Sequence, residues 1–439
     1  MTVPLDNLYH YVESQLNKPA TVYLFYPHGS RKLTNLSILR QYTLEQTLVQ
    51  PSIVCHDQEP LMFDLHQDHH PEYREALVKL TELQKEMAGP DDWLFLPNLN
   101  LQLGTYIPGV SVYDSAVLLH SELNSPEVEK YQQAGFACAY YWCHAIIARD
   151  WFRFAQVDVR NRPTGTFDRM FLIYSRGWTN SREYRLKFIE LLAQHNLLDH
   201  CKISILKHEE GLAVKDYEFK NSNLQVNNTD VYDLISQCEA PSSASADYDS
   251  ADIVSTIMSV VLETIYDGSR IHLTEKILRP IACGHAFVVA AAPGTLKYLR
   301  NYGFQTFAPY IDESYDEETD SVVRLEKICQ AMKKISQLSG TELQSWYYAV
   351  REIAIFNRRH FFSDAFWNQV TGELSTNLNA AVDQVCRTSG KKWLTNRKEL
   401  RQRKPNFWQI QLQHQYERTK ARQLRALRLD KGGGRLLLL

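Results

Sequence analysis

Glu263 closes the apolar run VSTIMSVVL, and after ten intervening residues the chain reads Thr274-Glu275-Lys276. A carboxylate at the end of a strand can take a pair of hydroxyls such as a ribose diol. Thr274 can cap a helix that starts near Glu275, and the free N–H groups and positive dipole of such a helix end suit a phosphate. Lys276 adds a mobile charge for a diphosphate. Pro293-Gly294 then makes a tight turn into a second helix, with amides able to face the same ligand. Thr-Glu-Lys alone reads as a capping box variant with ordinary ion pairs. The whole series reads as a site for a ligand that is both phosphorylated and rich in hydroxyls.

Further groups stand at other strand ends. Arg176 and Arg182 lie in YSRGWTNSREYRL, where either can pair a diphosphate bidentately and neutralise a leaving group. Arg176 ranks first because it ends a strand, and Trp178 serves either as a stacking surface or as packing. In CHDQEPLMFD, Asp57 and Glu59 follow a strand beside His56, where a base for an acceptor hydroxyl belongs. Capping of a neighbouring helix explains them equally well. LLHSELNS repeats the theme with His120 and Glu122. His144 and Arg149, between Trp142 and Trp151, read as core and interdomain contacts. His66, Asp68, His69 and His70 lack the i, i+4 spacing of a helical zinc site, Asp247 and Asp249 sit in a low-complexity stretch, and no metal is expected. No GxGxxG or Walker A pattern occurs, which excludes the commonest dinucleotide and P-loop folds.

The elements that must position these groups alternate. TVYLFYP, SIVCH, DWLFLP, AVLLHS and FACAYYW are short β-rich runs in the first third. LSILRQYTLEQTLVQ, PEYREALVKLTELQKEM and SPEVEKYQQAG between them carry helical spacing, the last with Ser125 and Pro126 at its start. VRNRPTGT reads as a linker. A second series follows: MFLIYS, KISIL and AFVVAAA as strands, SREYRLKFIELLAQH as a helix, and helical patterns over 321–337 and 341–378. Such alternation predicts parallel sheets with helices on both faces, and ligands at the carboxyl ends of the strands.

The 439 residues exceed one ordinary core, so two domains are expected. A hydrophobic fraction of 44% excludes wholesale disorder. Eight scattered cysteines without a CxxC pair suit a reducing compartment. The opening MTVPLDNLYHYVESQ lacks the basic-then-apolar pattern of a leader, which makes the cytoplasm the expected location. The net charge of −3 conceals an asymmetry, because 15 Lys and Arg stand against three acids from Arg387 onward. A basic, amphipathic tail of this kind seeks a polyanion. Nucleic acid is favoured and an anionic membrane surface comes second.

The spacing from Glu263 to TEK, the run PIACGHAFVVAAAPG and the run LRNYGFQTF together resemble the donor-binding domain of GT-B glycosyltransferases. They are most similar to the fucosyltransferase-like and exostosin-like groups and to transferases carried by phages. The resemblance covers roughly residues 170–340. It implies two Rossmann-like domains, an acceptor side at 1–165 and a sugar-nucleotide side at 166–345. Helices at 346–386 would pack back, before the basic tail at 387–439. It further implies a nucleotide-sugar co-substrate without a metal, contacted by Glu263 and Lys276; Arg176, Arg182, Thr274, Glu275 and Gly294 join them as donor-site candidates on the reading of the residues. Asp57 or Glu59 would be the base, with Glu122 and His120 behind them. AAAPG departs from the polar, glycine-rich turn of fucosyltransferases and leaves the donor sugar open. A modified base in DNA is the favoured acceptor, a surface glycan or lipid-linked sugar the alternative. A non-catalytic binding protein on a transferase fold is the reading from a different class.

Overall fold

Runs of apolar residues too short for helices set the sheets of this α/β chain. The computed structural model describes residues 2–3, 8–17, 21–25, 52–56, 116–133, 137–156, 167–206, 208–209, 211–234 and 248–389. Asp57, Glu59, the four-residue His/Asp cluster, DWLFLP, the two helical patterns around it and the tail from 390 lie outside these residues.

The sheet that carries most of the candidate residues has four parallel strands: β5 (Arg169–Tyr174), β6 (Cys201–Ser204), β9 (Thr256–Leu262) and β10 (Ala286–Ala290). Every residue of β9 and β10 is buried, as their predominantly apolar runs require of strands covered on both faces. Helix α4 (Tyr184–Gln194) joins β5 to β6, and α7 (Glu275–Cys283) joins β9 to β10. The small helices α5 (Val231–Leu234) and α6 (Ser250–Val254) fall between, and α8 (Thr295–Asn301) follows β10. Gly284 ends α7 at φ +68, with Gly284 N–H on Ile281 O and His285 N–H on Pro280 O, so the chain turns at once into β10. Helices α9 (Ser321–Ser336) and α10 (Gly340–Phe361) complete the flanks, α9 against α4 and α10 against α7. The result is a Rossmann-like unit of strand order β10-β9-β5-β6. Because β5 has β6 on one side and β9 on the other, the direction of winding reverses between β5 and β9. The carboxyl edge there is where such sheets hold ligands.

Another parallel sheet precedes it, ordered β1 (Thr21–Phe25), β2 (Ser52–His56), β3 (Ala116–His120) and β4 (Ala137–Tyr140). Around it lie α1 (Leu8–Ser14), α2 (Pro126–Gln133) and α3 (Cys143–Trp151), the last buried from Cys143 to Arg149. The final helix α11 (Asp364–Ser389) lies against β4, where Asn377 Nδ2 donates to Tyr140 O at 2.9 Å. The helical pattern over 341–378 falls in two helices, α10 and α11. Arg149 explains the break: its guanidinium donates to the carbonyls of Phe361, Phe362 and Ser363, the orphan acceptors of a helix end. Ser363 Oγ then accepts from Phe366 N–H at 3.2 Å and starts the next helix. Among the described residues no helix is long and apolar enough to cross a membrane.

Candidate functional site

Parallel strands put their last residues on one edge, so Ser175 and Arg176 after β5 share an edge with Glu263 and Thr264 after β9. Thr274 caps α7 as its sequence dictates, its hydroxyl accepting from Lys276 N–H at 3.3 Å. Glu263 differs from expectation. It is 0% exposed, and its Oε1 accepts from Thr274 N–H at 3.1 Å and Ile277 N–H at 3.3 Å. Its Oε2 accepts from the Thr274 hydroxyl at 2.7 Å. The carboxylate thus turns into the helix end rather than toward a diol. Local propensity could not reveal this, because the buried N-terminus of α7 needs acceptors for its orphan amides and the nearest strand end supplies them. Burial pushes the Glu263 carboxyl above the usual carboxylate range, against the pull of Lys276.

Lys276 keeps its ammonium partly exposed, within 3.2 Å of Thr264 Oγ1, 3.1 Å of Thr274 Oγ1 and 3.1 Å of Glu275 Oε1. Glu275 is buried and lies 3.4 Å from His144 Nε2 through its other oxygen. Gly294 has φ +82, which only glycine adopts readily, and its N–H donates to Asp316 O at 2.7 Å. Asp316 also takes Leu296 N–H on both oxygens at 3.0 Å, so a carboxylate of the chain closes the start of α8. Arg176 is partly buried just past β5, and its carbonyl accepts from Leu206 N–H. Arg182 pairs with Glu209, Nη2 to Oε1 at 3.5 Å. Trp178 is packing: fully buried, it donates Nε1–H to Leu206 O at 2.8 Å.

Arg185, which by sequence reads as solvated or as a partner of Glu183 and Glu190, is buried, and its guanidinium spans the switch point. It donates to Gly177 O at 2.6 Å on the β5 side, and to Leu262 O at 2.8 Å and Glu263 O at 3.1 Å on the β9 side. Full burial depresses its pKa. Tyr184, stacked on Tyr266, adds its hydroxyl to Glu263 O at 2.6 Å. The only signal for this role was an Arg in the first turn of the helix that follows β5.

The end of β3 meets the same segment of chain. Leu123 and Ile271 form an antiparallel bridge with both N–H···O bonds at 2.9 Å. Glu122, 1% exposed, accepts from Ser125 Oγ at 2.7 Å and lies 3.4 Å from Arg270 Nη1. His120 is buried, with Nδ1 3.0 Å from Glu122 O. His272 Nδ1 lies 3.1 Å from Ser121 O, and the ring meets His144 edge-on at 5.3 Å. Burial, then the nearby His144, bring the His272 pKa down to about 3, so this imidazole is neutral. Trp142 Nε1–H on Leu273 O at 2.9 Å completes the seam. The structure therefore brings His120 and Glu122 together with the 269–276 segment that leads into Thr274, Glu275 and Lys276.

Among the described residues no group of His, Cys, Asp and Glu side chains could hold a metal ion. A small cavity opens at the opposite edge, lined by Thr256, Cys283, His285, Tyr347 and Arg351 among others. It sits at the starts of β9 and β10, where parallel sheets do not place their chemistry, so the carboxyl edge is the better candidate. Comparison of the chain with protein-family models, with curated proteins and with solved structures finds no match in any of the three.

Proposed function

We propose that this chain is a nucleotide-sugar-dependent glycosyltransferase of the GT-B type. One observation carries the reading. Arg176, Arg182 and Lys276 follow β5 and β9 on either side of the switch point, and the end of β3 is fastened to the segment that delivers Lys276. Positive charge at that edge suits the diphosphate of a donor and the charge that builds on it as the glycosidic bond breaks. On this reading residues 166–345 hold the donor and 1–165 face the acceptor, with Asp57 or Glu59 as the base. Glu122 ranks below them because Arg270 and Ser125 already engage it. Glu263 and Thr274 serve by fixing α7 so that Lys276 is presented, and Gly294 by shaping the turn after β10. The acceptor is a polyanion met by the tail from 387, with nucleic acid ahead of a membrane-borne glycan.

The test is a thermal-shift and turnover screen of UDP-, GDP- and CMP-sugars. One donor is expected to raise Tm and to release its nucleotide, and Lys276→Ala to abolish both. A full panel without a shift or turnover removes the reading. The binding protein without catalysis is the second reading, and a specific feature favours it. The starts of α7 and α8 are both closed by carboxylates of the chain itself, Glu263 and Asp316. It predicts a thermal shift with no nucleotide release.

A further inference from the structure

The loop after β5 holds an anion, and the anion is a side chain of the protein. Trp178 and Thr179 both donate backbone N–H groups to Glu209 Oε2, Thr179 at 2.7 Å. Arg182 Nη2 stands 3.5 Å from the other oxygen. Arg185 sets the polarity of this loop by donating to Gly177 O. The C=O and N–H of one trans peptide point in opposite directions, so the Trp178 N–H is turned away from Arg185 and toward Glu209. Gly177 supplies the clearance: a Cβ there would lie 2.2 Å from Glu209 Oε1. The hydroxyls of Ser175 and Thr179, each 3% exposed, have no hydrogen-bond partner among the described residues.

Two successive amides and a guanidinium around one anionic group make a contact set that phosphate shares with carboxylate. We propose that residues 175–182 form a binding site for a phosphate-class anion, a diphosphate by preference, and that Glu209 is its resident competitor. Glu209 sits on the hairpin of β7 (His208–Glu209) and β8 (Leu212–Ala213), which has two residue pairs. A ribbon that short has little stability of its own, so it can swing away at small cost. A carboxylate brings two oxygens and leaves the Ser175 and Thr179 hydroxyls unserved, whereas a diphosphate brings more oxygens and more charge. The choice of a diphosphate rests on the transferase reading, while the anion site does not.

Calorimetric titration with inorganic pyrophosphate and inorganic phosphate tests it. Glu209→Gln keeps the shape and removes the competing charge, and is expected to bind pyrophosphate about tenfold more tightly than wild type. Adding Arg182→Gln should cancel that gain. Equal pyrophosphate affinity in wild type and in folded Glu209→Gln and Glu209→Ala overturns the proposal. Should neither variant fold, amide exchange on the wild type decides. Pyrophosphate must speed exchange in the hairpin and slow it at Trp178 and Thr179, and unchanged exchange at saturation rejects the site. A gain in pyrophosphate affinity without acceptance of any sugar nucleotide would leave this site standing and remove the transferase. Sugar transfer with no gain would do the reverse.

Discussion

Four buried carboxylates around the second sheet answer backbone amides, whereas the one at the end of β3 answers side chains. Glu263 serves Thr274 and Ile277, Asp316 serves Leu296, Glu183 serves Lys220 and Asn221, and Glu190 serves Asn227 and Asn228. Glu122 in the first region takes the Ser125 hydroxyl and the Arg270 guanidinium instead. Backbone dipoles are fixed once a helix is placed, so the first kind of contact sets local chain geometry. A guanidinium reaching from the β9–α7 connection registers how two distant parts of the chain meet. The same residue type therefore builds a rigid sheet edge in one region and a fastening in the other.

That contrast predicts the largest effect at Glu263. Glu263→Ala leaves two buried amides and a hydroxyl without their acceptor and opens a void, so it should cost about 3–5 kcal/mol in chemical denaturation. Glu263→Gln keeps an acceptor oxygen for the amides and should cost about 1–2 kcal/mol. A cost below that range for the alanine variant would mean that α7 does not depend on this carboxylate, and the contrast between the regions would fail.

How far the sequence reveals this can be seen residue by residue. TIMSVVL and AFVVA are legible as strands because a predominantly apolar run has one economical fate, burial between two layers of helix. Thr274 is legible as a cap because its partner, Lys276 N–H, is two residues away. Asp316 is silent because Leu296 lies twenty residues off, and Glu209 because Trp178 lies 31 residues off. Arg270 and Glu122 are 148 residues apart, and nothing in either neighbourhood announces the other. Strands and caps follow from local rules. The partner of a buried charge follows from topology, which is why a diol was the expected partner of Glu263, whose carboxylate the fold turns into the start of α7.

An intermediate effect is expected at the fastening, and its asymmetry sharpens the comparison. Arg270 has 16% of its side chain exposed and Glu122 none. Removing Glu122's charge leaves a guanidinium that can still reach water, so Glu122→Gln should cost about 1 kcal/mol. Arg270→Met strands a carboxylate in the interior with Ser125 alone and should cost about 3 kcal/mol. The double variant should cost about 2–3 kcal/mol, less than the two single costs together, a coupling of about 1–2 kcal/mol in a double-mutant cycle. Equal single costs with no coupling would show that the bridge Leu123–Ile271 holds the seam unaided.

The smallest effect separates two buried imidazoles, one at each edge of β9. His285 is lowered to about 4 by burial, with Nδ1 2.9 Å from Ser259 Oγ and Nε2 3.1 Å from Thr256 O. His272 is lowered to about 3 and has Nδ1 on Ser121 O, while its Nε2 has no hydrogen-bond partner among the described residues. The charged or titratable groups acting on it are His144, Glu122 and Arg270. Both folded values lie below the unfolded value of about 6.5, so the folded state binds fewer protons than the unfolded one. Their contribution is complete above pH ~6.5 and is withdrawn as the pH falls from there toward the folded values. Leucine at either position should flatten that acid slope. At pH 7 the two must differ: His285→Leu strands two partners and should cost about 1–2 kcal/mol, His272→Leu less than about 1 kcal/mol. Denaturation midpoints at pH 7 and pH 5 measure both quantities. An unchanged acid slope in His272→Leu would show that His272 is not the group that titrates.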